Sequence, residues 1–202
     1  KQVIFNWAVG VGKKVRKREH AGKSVNPLLK AQHDLADRLV LSKVRQLFGG
    51  NLKLAVTGAA PINPDILGFF DAAGVLVVEG WGMTETSTAA TVARPDAFKF
   101  GKVGKAFKGC EIKIAEDGEI LVRGPNVFQG YYREPEATAR VLDDDGWLHT
   151  GDLATVDDDG WLYLVDRSKD LIIVSGFNVY PAEVEDVLAN HPAVLDVKTE
   201  RL

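Results

Sequence analysis

The stretch that decides the fold covers residues 52–86 and reads LKLAVTGAAPINPDILGFFDAAGVLVVEGWGMTET. Its apolar residues form short runs bounded by Gly and Pro, which predict a buried strand at 52–56, a helix at 64–73 and a strand at 75–78. A strand, a helix and a further strand in this order are typical of an α/β unit with parallel strands. The sequence therefore predicts a mixed α/β fold.

Sequence patterns on either side of this unit predict helices before it and short strands after it. Helices are predicted at 2–20 and 28–48, and Gly49 and Gly50 end the second one. Strands are predicted at 111–114, 119–123, 153–156 and 161–165, with Asp-Gly turns at 117–118, 145–146 and 159–160. A last section adds a strand at 171–174, a helix at 181–190 and a strand at 194–199. We therefore expect an α/β section, a β-rich section and a third, shorter α+β section.

The composition excludes several classes of protein. The chain has 202 residues, of which 46% are apolar and 26% charged, so it can bury a core and is not disordered as a whole. Its one cysteine, Cys110, excludes a disulfide scaffold and cannot alone form a cysteine-cluster zinc site. No run approaches the roughly 18 apolar residues of a membrane span, and no secretory signal is visible. Because the first residue is Lys and the one Met is Met83, we expect a piece of a longer protein.

The basic residues are concentrated at the start of the chain. Residues 1–53 carry a net charge of +9 and residues 54–202 a net charge of −12. The densest basic run covers residues 13–18, and its simplest interpretation is a solvated helix face. The alternative is a peripheral contact with an anionic membrane surface. No aromatic residue lies within this run, so we expect no nucleic-acid partner.

Two segments with binding chemistry follow the two predicted parallel strands. Gly58, Ala59 and Ala60 follow the first strand, and their small size lets a flat ligand lie against the backbone; a tight turn is the alternative. The second segment, residues 79–86, reads EGWGMTET. Its two glycines permit close backbone approach, and its Trp ring, Thr hydroxyl and Glu carboxylate suit a planar base, a phosphate and Mg²⁺. The alternative is a glycine-bounded turn with a core Trp and a capping Thr.

Two further segments carry charged residues near predicted strands. Residues 146–153 read GWLHTGDL and place Asp152 at the end of a turn, where its carboxylate can accept the two hydroxyls of a ribose. The alternative is a turn Asp that binds its own backbone. Residues 166–176 read DRSKDLIIVSG, and Arg167 there can reach a ribose or a phosphate. A solvent-exposed hairpin is the alternative for that segment.

Taken together and in this order, the four segments resemble the adenylate-forming superfamily, which includes acyl-CoA synthetases, luciferases and the adenylation domains of peptide synthetases. Two more segments extend the resemblance, GPNVFQGYY at 124–132 and GFNVYPAEVE at 176–185. The similarity runs from residue 52 to about residue 190. Residues 1–51 are similar to the helical stretch that precedes these motifs in long-chain fatty acyl-CoA synthetases.

The resemblance implies a role for each matching residue. It assigns ATP and AMP binding to Gly58, Ala59, Ala60, Glu79, Gly80, Trp81, Gly82, Met83, Thr84, Asp152 and Arg167. Thr84 and Glu85 are the implied catalytic residues, Thr84 on phosphate and Glu85 on Mg²⁺. Lys169 matches the pivot between a large and a small domain, and Gly176 matches the backbone that borders the channel for coenzyme A.

The resemblance also implies an architecture and a reaction. Residues 1–100 are expected to form part of the α/β subdomain of the large domain, 101–166 its β-rich, barrel-like subdomain, 167–170 the hinge and 171–202 the start of the small C-terminal α+β domain. The implied reaction joins a long-chain fatty acid to coenzyme A through an acyl-adenylate, with ATP and Mg²⁺. Rotation of the small domain lets one site serve both halves of the reaction.

Several expectations concern what the chain does alone and what alternatives exist. No phosphate loop like that of the relatives occurs in residues 1–56, and no C-terminal catalytic Lys is present, so we expect no ligase activity from the 202 residues alone. The alternatives are a fatty acyl-AMP ligase that delivers to a carrier protein and a non-catalytic nucleotide-binding module. We expect a cytoplasmic protein, with a peripheral membrane contact as the alternative, and leave its oligomeric state open.

Overall fold

A computed structural model of the chain describes residues 1–58, 62–167, 172–174, 177–189, 191, 193–194 and 197. The chain divides into two compact units. The first unit comprises residues 1–79 and 94–101, and the second unit comprises residues 80–93 and 102–202. The predicted domain boundaries at residues 100, 166 and 170 stay predictions.

The first unit begins with helices. α1 covers Gln2–His20, α2 covers Pro27–Ala36 and α3 covers Ser42–Leu47. The single helix predicted at 28–48 is wrong in one respect, because a wider π-helical turn at Asp37–Leu41 separates α2 from α3. Across this turn the Arg45 guanidinium donates to both carboxylate oxygens of Asp37, at 2.7 and 2.9 Å. The predicted end of the helix is confirmed, since α3 ends at Leu47 and two glycines with positive φ follow.

A parallel strand pair and a helix complete the first unit. β1 covers Leu54–Thr57, α4 covers Pro64–Ala72 and β2 covers Leu76–Trp81, with β1 and β2 in parallel register from Leu54↔Leu76 to Thr57↔Glu79. The expectation of a buried first strand is wrong, because Leu54 is 38% and Val56 61% exposed. The reason is that side chains alternate along a strand: Ala55 packs with the core of the first unit, and Leu54 and Val56 lie on the opposite face of β1.

The second unit begins within β2. Gly80 and Trp81 pair antiparallel with β3, Thr91–Val92, which pairs with β4, Lys105–Ala106. A second antiparallel sheet follows in the order β5, β6, β7, β8. These strands cover Glu111–Ile114, Glu119–Arg123, Leu148–Val156 and Leu162–Arg167, with α5 at Pro135–Ala139 between β6 and β7. The core of the second unit contains the buried side chains of Trp81, Ile120, Val122, Leu148 and Leu162.

The last described elements form a small hairpin and a helix. β9, Ile172–Val174, pairs antiparallel with β10, Phe177–Val179, and α6 covers Pro181–Ala189. Most of the strand predicted at 194–199 lies outside the described residues. In the part of the chain that the structure describes, no helix combines the length and the apolar character of a membrane span.

Candidate functional site

The loop that follows β2 is folded back on itself. A Cβ atom on Gly82 would collide with the carbonyl oxygen of Thr88 and the Cα atom of Ala89. Residues Thr84–Thr86 form a short 3-10 turn. The buried Thr86 hydroxyl caps this turn, because it accepts from the Met83 N–H at 2.9 Å and lies 3.0 Å from the Met83 carbonyl oxygen. The capping Thr is therefore Thr86, and the Thr84 side chain is exposed.

The segment 124–132 fixes this loop from the other side. The Ser87 hydroxyl donates to the Asn126 carbonyl oxygen at 2.8 Å, and the Asn126 amide donates to the Ala89 carbonyl oxygen at 3.2 Å. The Phe128 N–H donates to the Glu85 carbonyl oxygen at 2.8 Å. The sequence identified this segment as part of the resemblance and assigned it no role. One signal in the sequence could have indicated this role. Asn126 lies between a Gly-Pro pair and an apolar run, where a polar amide needs hydrogen-bond partners such as backbone carbonyl groups.

Glu85 carries the carboxylate expected to bind Mg²⁺. It is half-buried, and its Oε1 atom accepts a hydrogen bond from the Tyr131 hydroxyl at 2.6 Å. This hydrogen bond raises the pKa of the Tyr131 phenol, because ionisation would place a second negative charge beside the carboxylate. The described residues contain no group of three His, Cys, Asp or Glu side chains that could hold a metal ion. A single carboxylate fits Mg²⁺, which commonly takes one or two carboxylates together with substrate phosphates and water.

Trp81 occupies the core of the second unit. Its side chain is 5% exposed and packs with Ile120, Val122 and Leu148. Its indole N–H donates to Asp152 Oδ2 at 2.8 Å. Trp81 is therefore a core residue, which is the alternative that the sequence analysis left open. The expected contact of its ring with a nucleotide base stays a prediction.

Asp152 lies inside β7, so its predicted place at the end of a turn is wrong. β7 begins at Leu148 rather than at 153 because it continues to pair along β6 and β8. Asp152 is the cross-strand partner of Arg167 on β8, and the Arg167 Nε atom lies 3.4 Å from Asp152 Oδ1. The Asp152 side chain is 17% exposed and the Arg167 side chain 69% exposed. The sheet therefore positions a carboxylate between a buried indole and an exposed guanidinium.

Two other predicted site residues belong to the first unit. Glu79 is buried, and its Oε2 atom accepts from the Gly101 N–H at 2.7 Å. Gly58 directly follows β1, and its neighbour Thr57 is the register partner of Glu79. Gly58 and Glu79 therefore lie at the same end of the parallel strand pair. The predicted residues Ala59, Ala60, Lys169 and Gly176 lie outside the described residues.

The second unit thus brings together the Trp81, Asp152 and Arg167 side chains in one group. It also joins the Glu85 side chain, next to Thr84 on the loop after β2, to the Tyr131 side chain of segment 124–132. Gly80 and Met83 belong to the backbone that joins these residues. A Cβ atom on Gly80 would lie 3.0 Å from the Thr91 carbonyl oxygen, so its glycine is explained by pairing with β3.

Comparison with known proteins identifies the family of the chain. The model of the family described as AMP-binding enzyme matches residues 19–132. The chain belongs to the AMP-binding enzyme family. This match confirms the resemblance to adenylate-forming enzymes and covers the loop after β2 and the segment 124–132 that fixes it.

Curated relatives within this family are acid–CoA ligases by name. The chain is 47% identical over 197 residues to the provisionally named fatty-acid–CoA ligase fadD11 of Mycobacterium tuberculosis, covering 96% of this chain and 34% of the relative. It is 44% identical over 168 residues to the long-chain-fatty-acid–CoA ligase FadD15 of the same organism, covering 83% of this chain and 28% of that protein. The chain therefore spans about a third of the length of these relatives.

Solved structures confirm the mixed α/β fold. The AMP complex of o-succinylbenzoate coenzyme A synthetase (MenE) from Bacillus subtilis matches with a TM-score of 0.71 and 35% identity, covering 83% of this chain and 37% of that chain. The complex of the same enzyme with ATP and a magnesium ion matches with a TM-score of 0.67 and 39% identity, covering 73% and 33%.

Proposed function

We propose that the protein containing this chain is an AMP-forming acid–CoA ligase whose acid is a long-chain fatty acid. The observation that carries the proposal is the Asp152 carboxylate, which β7 and β8 hold between the Trp81 indole and the Arg167 guanidinium. Membership of the family supports the AMP-forming chemistry. The names of the M. tuberculosis relatives support a fatty acid, while MenE shows that the same fold serves another acid.

Asp152 is proposed to hold the ribose of the nucleotide. Its Oδ2 atom already accepts from Trp81, and Arg167 lies on the side of Oδ1. Each ionised carboxylate oxygen has more than one lone pair, so hydroxyl groups can be added to both. Trp81 thus fixes the carboxylate orientation from the core, and Arg167 supplies positive charge at the exposed edge, where a phosphate also fits.

Thr84 and Glu85 are proposed to act at the phosphates. The exposed Thr84 hydroxyl can donate to a phosphate oxygen, and the half-buried Glu85 carboxylate would hold Mg²⁺. When bound, this ion neutralises charge that develops on the phosphate oxygens. The fixed loop contributes orientation, because hydrogen bonds with segment 124–132 hold the Glu85 carboxylate and the loop backbone before the nucleotide arrives.

The proposed reaction has two steps. The fatty-acid carboxylate attacks the α-phosphorus of ATP, which forms an acyl-adenylate and releases pyrophosphate. The thiol of coenzyme A then attacks the acyl carbon and displaces AMP, giving the thioester. The proposed hinge at 167–170 begins at Arg167, the last residue of β8, which contacts Asp152.

The test is acid-dependent exchange of labelled pyrophosphate into ATP by the full-length protein. Octanoate, laurate, palmitate and stearate would be compared with benzoate and o-succinylbenzoate. We expect exchange with the long acids, thioester formation when coenzyme A is added, and neither reaction from the 202 residues alone. Thioester formation with a carrier protein and not with coenzyme A would favour the acyl-AMP ligase. Nucleotide binding without exchange for any acid would contradict the proposal and favour a non-catalytic module.

We also propose that the protein is cytoplasmic and that the basic end of α1 gives it a peripheral membrane contact. A cavity of about 370 Å³ in this region is lined by Leu29 and by four basic residues, Lys14, Lys17, Arg18 and Lys23. Each basic residue near an anionic surface contributes about 1 kcal/mol to binding. Vesicles with and without phosphatidylserine test this proposal across a salt series, and binding that ignores both anionic lipid and salt would contradict it.

A further inference from the structure

Glu85 is held twice by one neighbouring segment. The Phe128 N–H donates to its backbone carbonyl oxygen at 2.8 Å, and the Tyr131 hydroxyl donates to its carboxylate Oε1 atom at 2.6 Å. The residues concerned are up to 46 positions apart in the chain, so this contact depends on the folded second unit. Among the described residues, Tyr131 is the one hydrogen-bond partner of the Glu85 carboxylate.

Tyr131 is itself fixed from two directions. Its backbone N–H donates to the Thr138 hydroxyl on α5 at 2.9 Å, and that hydroxyl donates to the Glu134 carbonyl oxygen at 2.9 Å. Its ring packs edge-on against the Phe128 ring, with centroids 4.9 Å apart and an interplanar angle of 70°. Phe128 packs against the core of the second unit. The backbone and the ring of Tyr131 are therefore both constrained, and its hydroxyl is held beside Glu85.

A hydrogen bond of this kind restricts how a carboxylate turns. Because the Glu85 Oε1 atom accepts a hydrogen bond from the Tyr131 hydroxyl, rotation of the Glu85 carboxylate breaks a short hydrogen bond to a charged group. Partners of this kind orient metal-binding side chains, and their loss typically lowers metal affinity about 10- to 100-fold.

We propose that Tyr131 is a positioning residue that orients the Glu85 carboxylate for the magnesium ion of the ATP complex. This inference rests on the proposed function, because it requires that Glu85 binds the ion. Tyr131 acts through Glu85, and the contact with substrate phosphate belongs to other groups.

The test is direct binding of Mn²⁺, as a substitute for Mg²⁺, to the full-length protein saturated with α,β-methylene-ATP, followed by electron paramagnetic resonance. The variants are Tyr131→Phe, Thr138→Val, Glu85→Gln and the matched control Tyr132→Phe. Tyr132 is adjacent in the chain and 82% exposed, and its ring lies against the Arg133 guanidinium. Tyr131→Phe keeps the ring against Phe128 and removes the hydroxyl alone, and thermal melting verifies that the variants remain folded.

We expect Tyr131→Phe to weaken Mn²⁺ binding about 10-fold, Thr138→Val to weaken it less, and Tyr132→Phe to leave it unchanged. Glu85→Gln should weaken it at least as much as Tyr131→Phe. Wild-type affinity in Tyr131→Phe together with a loss in Glu85→Gln would overturn the positioning role and leave the proposed function intact. Wild-type affinity in Glu85→Gln would overturn both, because the ion would then not depend on Glu85.

Discussion

The two units use their buried and half-buried charges differently. In the first unit, the Asp71 carboxylate lies 2.9 Å from a ring nitrogen of His20 and Asp37 pairs with Arg45, and these contacts join neighbouring helical segments to one another. In the second unit, the Asp152 and Glu85 carboxylates are oriented by Trp81 and Tyr131 and lie beside exposed polar groups. The difference indicates that charged substitutions in the first unit change stability, and that exposed polar substitutions in the second unit change nucleotide binding.

The largest expected effect tests whether the loop of the second unit is as rigid as its contacts indicate. Gly82→Ala would place a Cβ atom against the backbone of Thr88 and Ala89, which cannot move as a side-chain end does. We expect a loss of about 3 kcal/mol in unfolding free energy, measured by denaturant titration. The matched control is Gly10→Ala in the first unit, where α1 has open space for a Cβ atom, and stability should rise by about 0.5 to 1 kcal/mol. Equal stability of the two variants would show that the loop relaxes.

A smaller effect tests the structural use of charge in the first unit. Asp37→Asn weakens the paired hydrogen bonds from Arg45, which itself also donates to the Ala73 carbonyl oxygen at 2.8 Å. We expect a loss of about 1 kcal/mol near neutral pH, with unchanged nucleotide affinity. A change in ATP affinity larger than the change in stability would break the contrast between the units.

The pH dependence of this variant has a defined sign. The hydrogen bond from Arg45 lowers the pKa of Asp37 in the folded chain. Its stabilising contribution is therefore present above the ordinary aspartate pKa of about 3.9 and is lost as the pH falls through the lowered value. Wild type and Asp37→Asn should differ in stability at neutral pH and converge in strong acid. A difference that grows in acid would contradict this assignment.

The smallest stability effect is expected in the second unit at Arg167. Its side chain is 69% exposed and lies 3.4 Å from Asp152, so the pair is worth roughly 0 to 0.5 kcal/mol. Arg167→Gln should leave the melting temperature nearly unchanged and weaken ATP binding measured by calorimetry. Arg94→Gln is the matched control, because the exposed Arg94 pairs with Asp96 in the first unit. Equal ATP affinity in both variants would show that Arg167 does not contribute to ATP binding.

Local chemistry made several elements predictable from the sequence. The strands Glu111–Ile114 and Glu119–Arg123 match the predicted bounds, because short apolar segments flank an Asp-Gly turn whose Gly118 has a positive φ. α1 is likewise confirmed at its predicted bounds, and α4 differs from its prediction by one residue at its end. In each case the signal lies within a few residues of the element.

Features that depend on distant residues could not be predicted in the same way. The exposure of Val56 depends on whether another part of the protein packs on its face of β1, which no local pattern encodes. The place of Asp152 inside β7 depends on pairing with Arg167, and the hydrogen bond between Tyr131 and Glu85 joins residues 46 positions apart. The sequence thus supplied the residues of the candidate site as predictions, while the contacts that support them are seen only in the folded chain.

The central claim is that Asp152 holds the ribose of the nucleotide in the second unit. The most direct measurement compares the affinities of ATP and 2′,3′-dideoxy-ATP for the full-length wild type and for Asp152→Asn. The asparagine side chain can still accept from the Trp81 indole, so the variant should remain folded. We predict that the wild type prefers ATP about 100-fold and that Asp152→Asn loses most of this preference, because two hydrogen bonds to a charged group are weakened. An equal preference in both proteins would contradict the account.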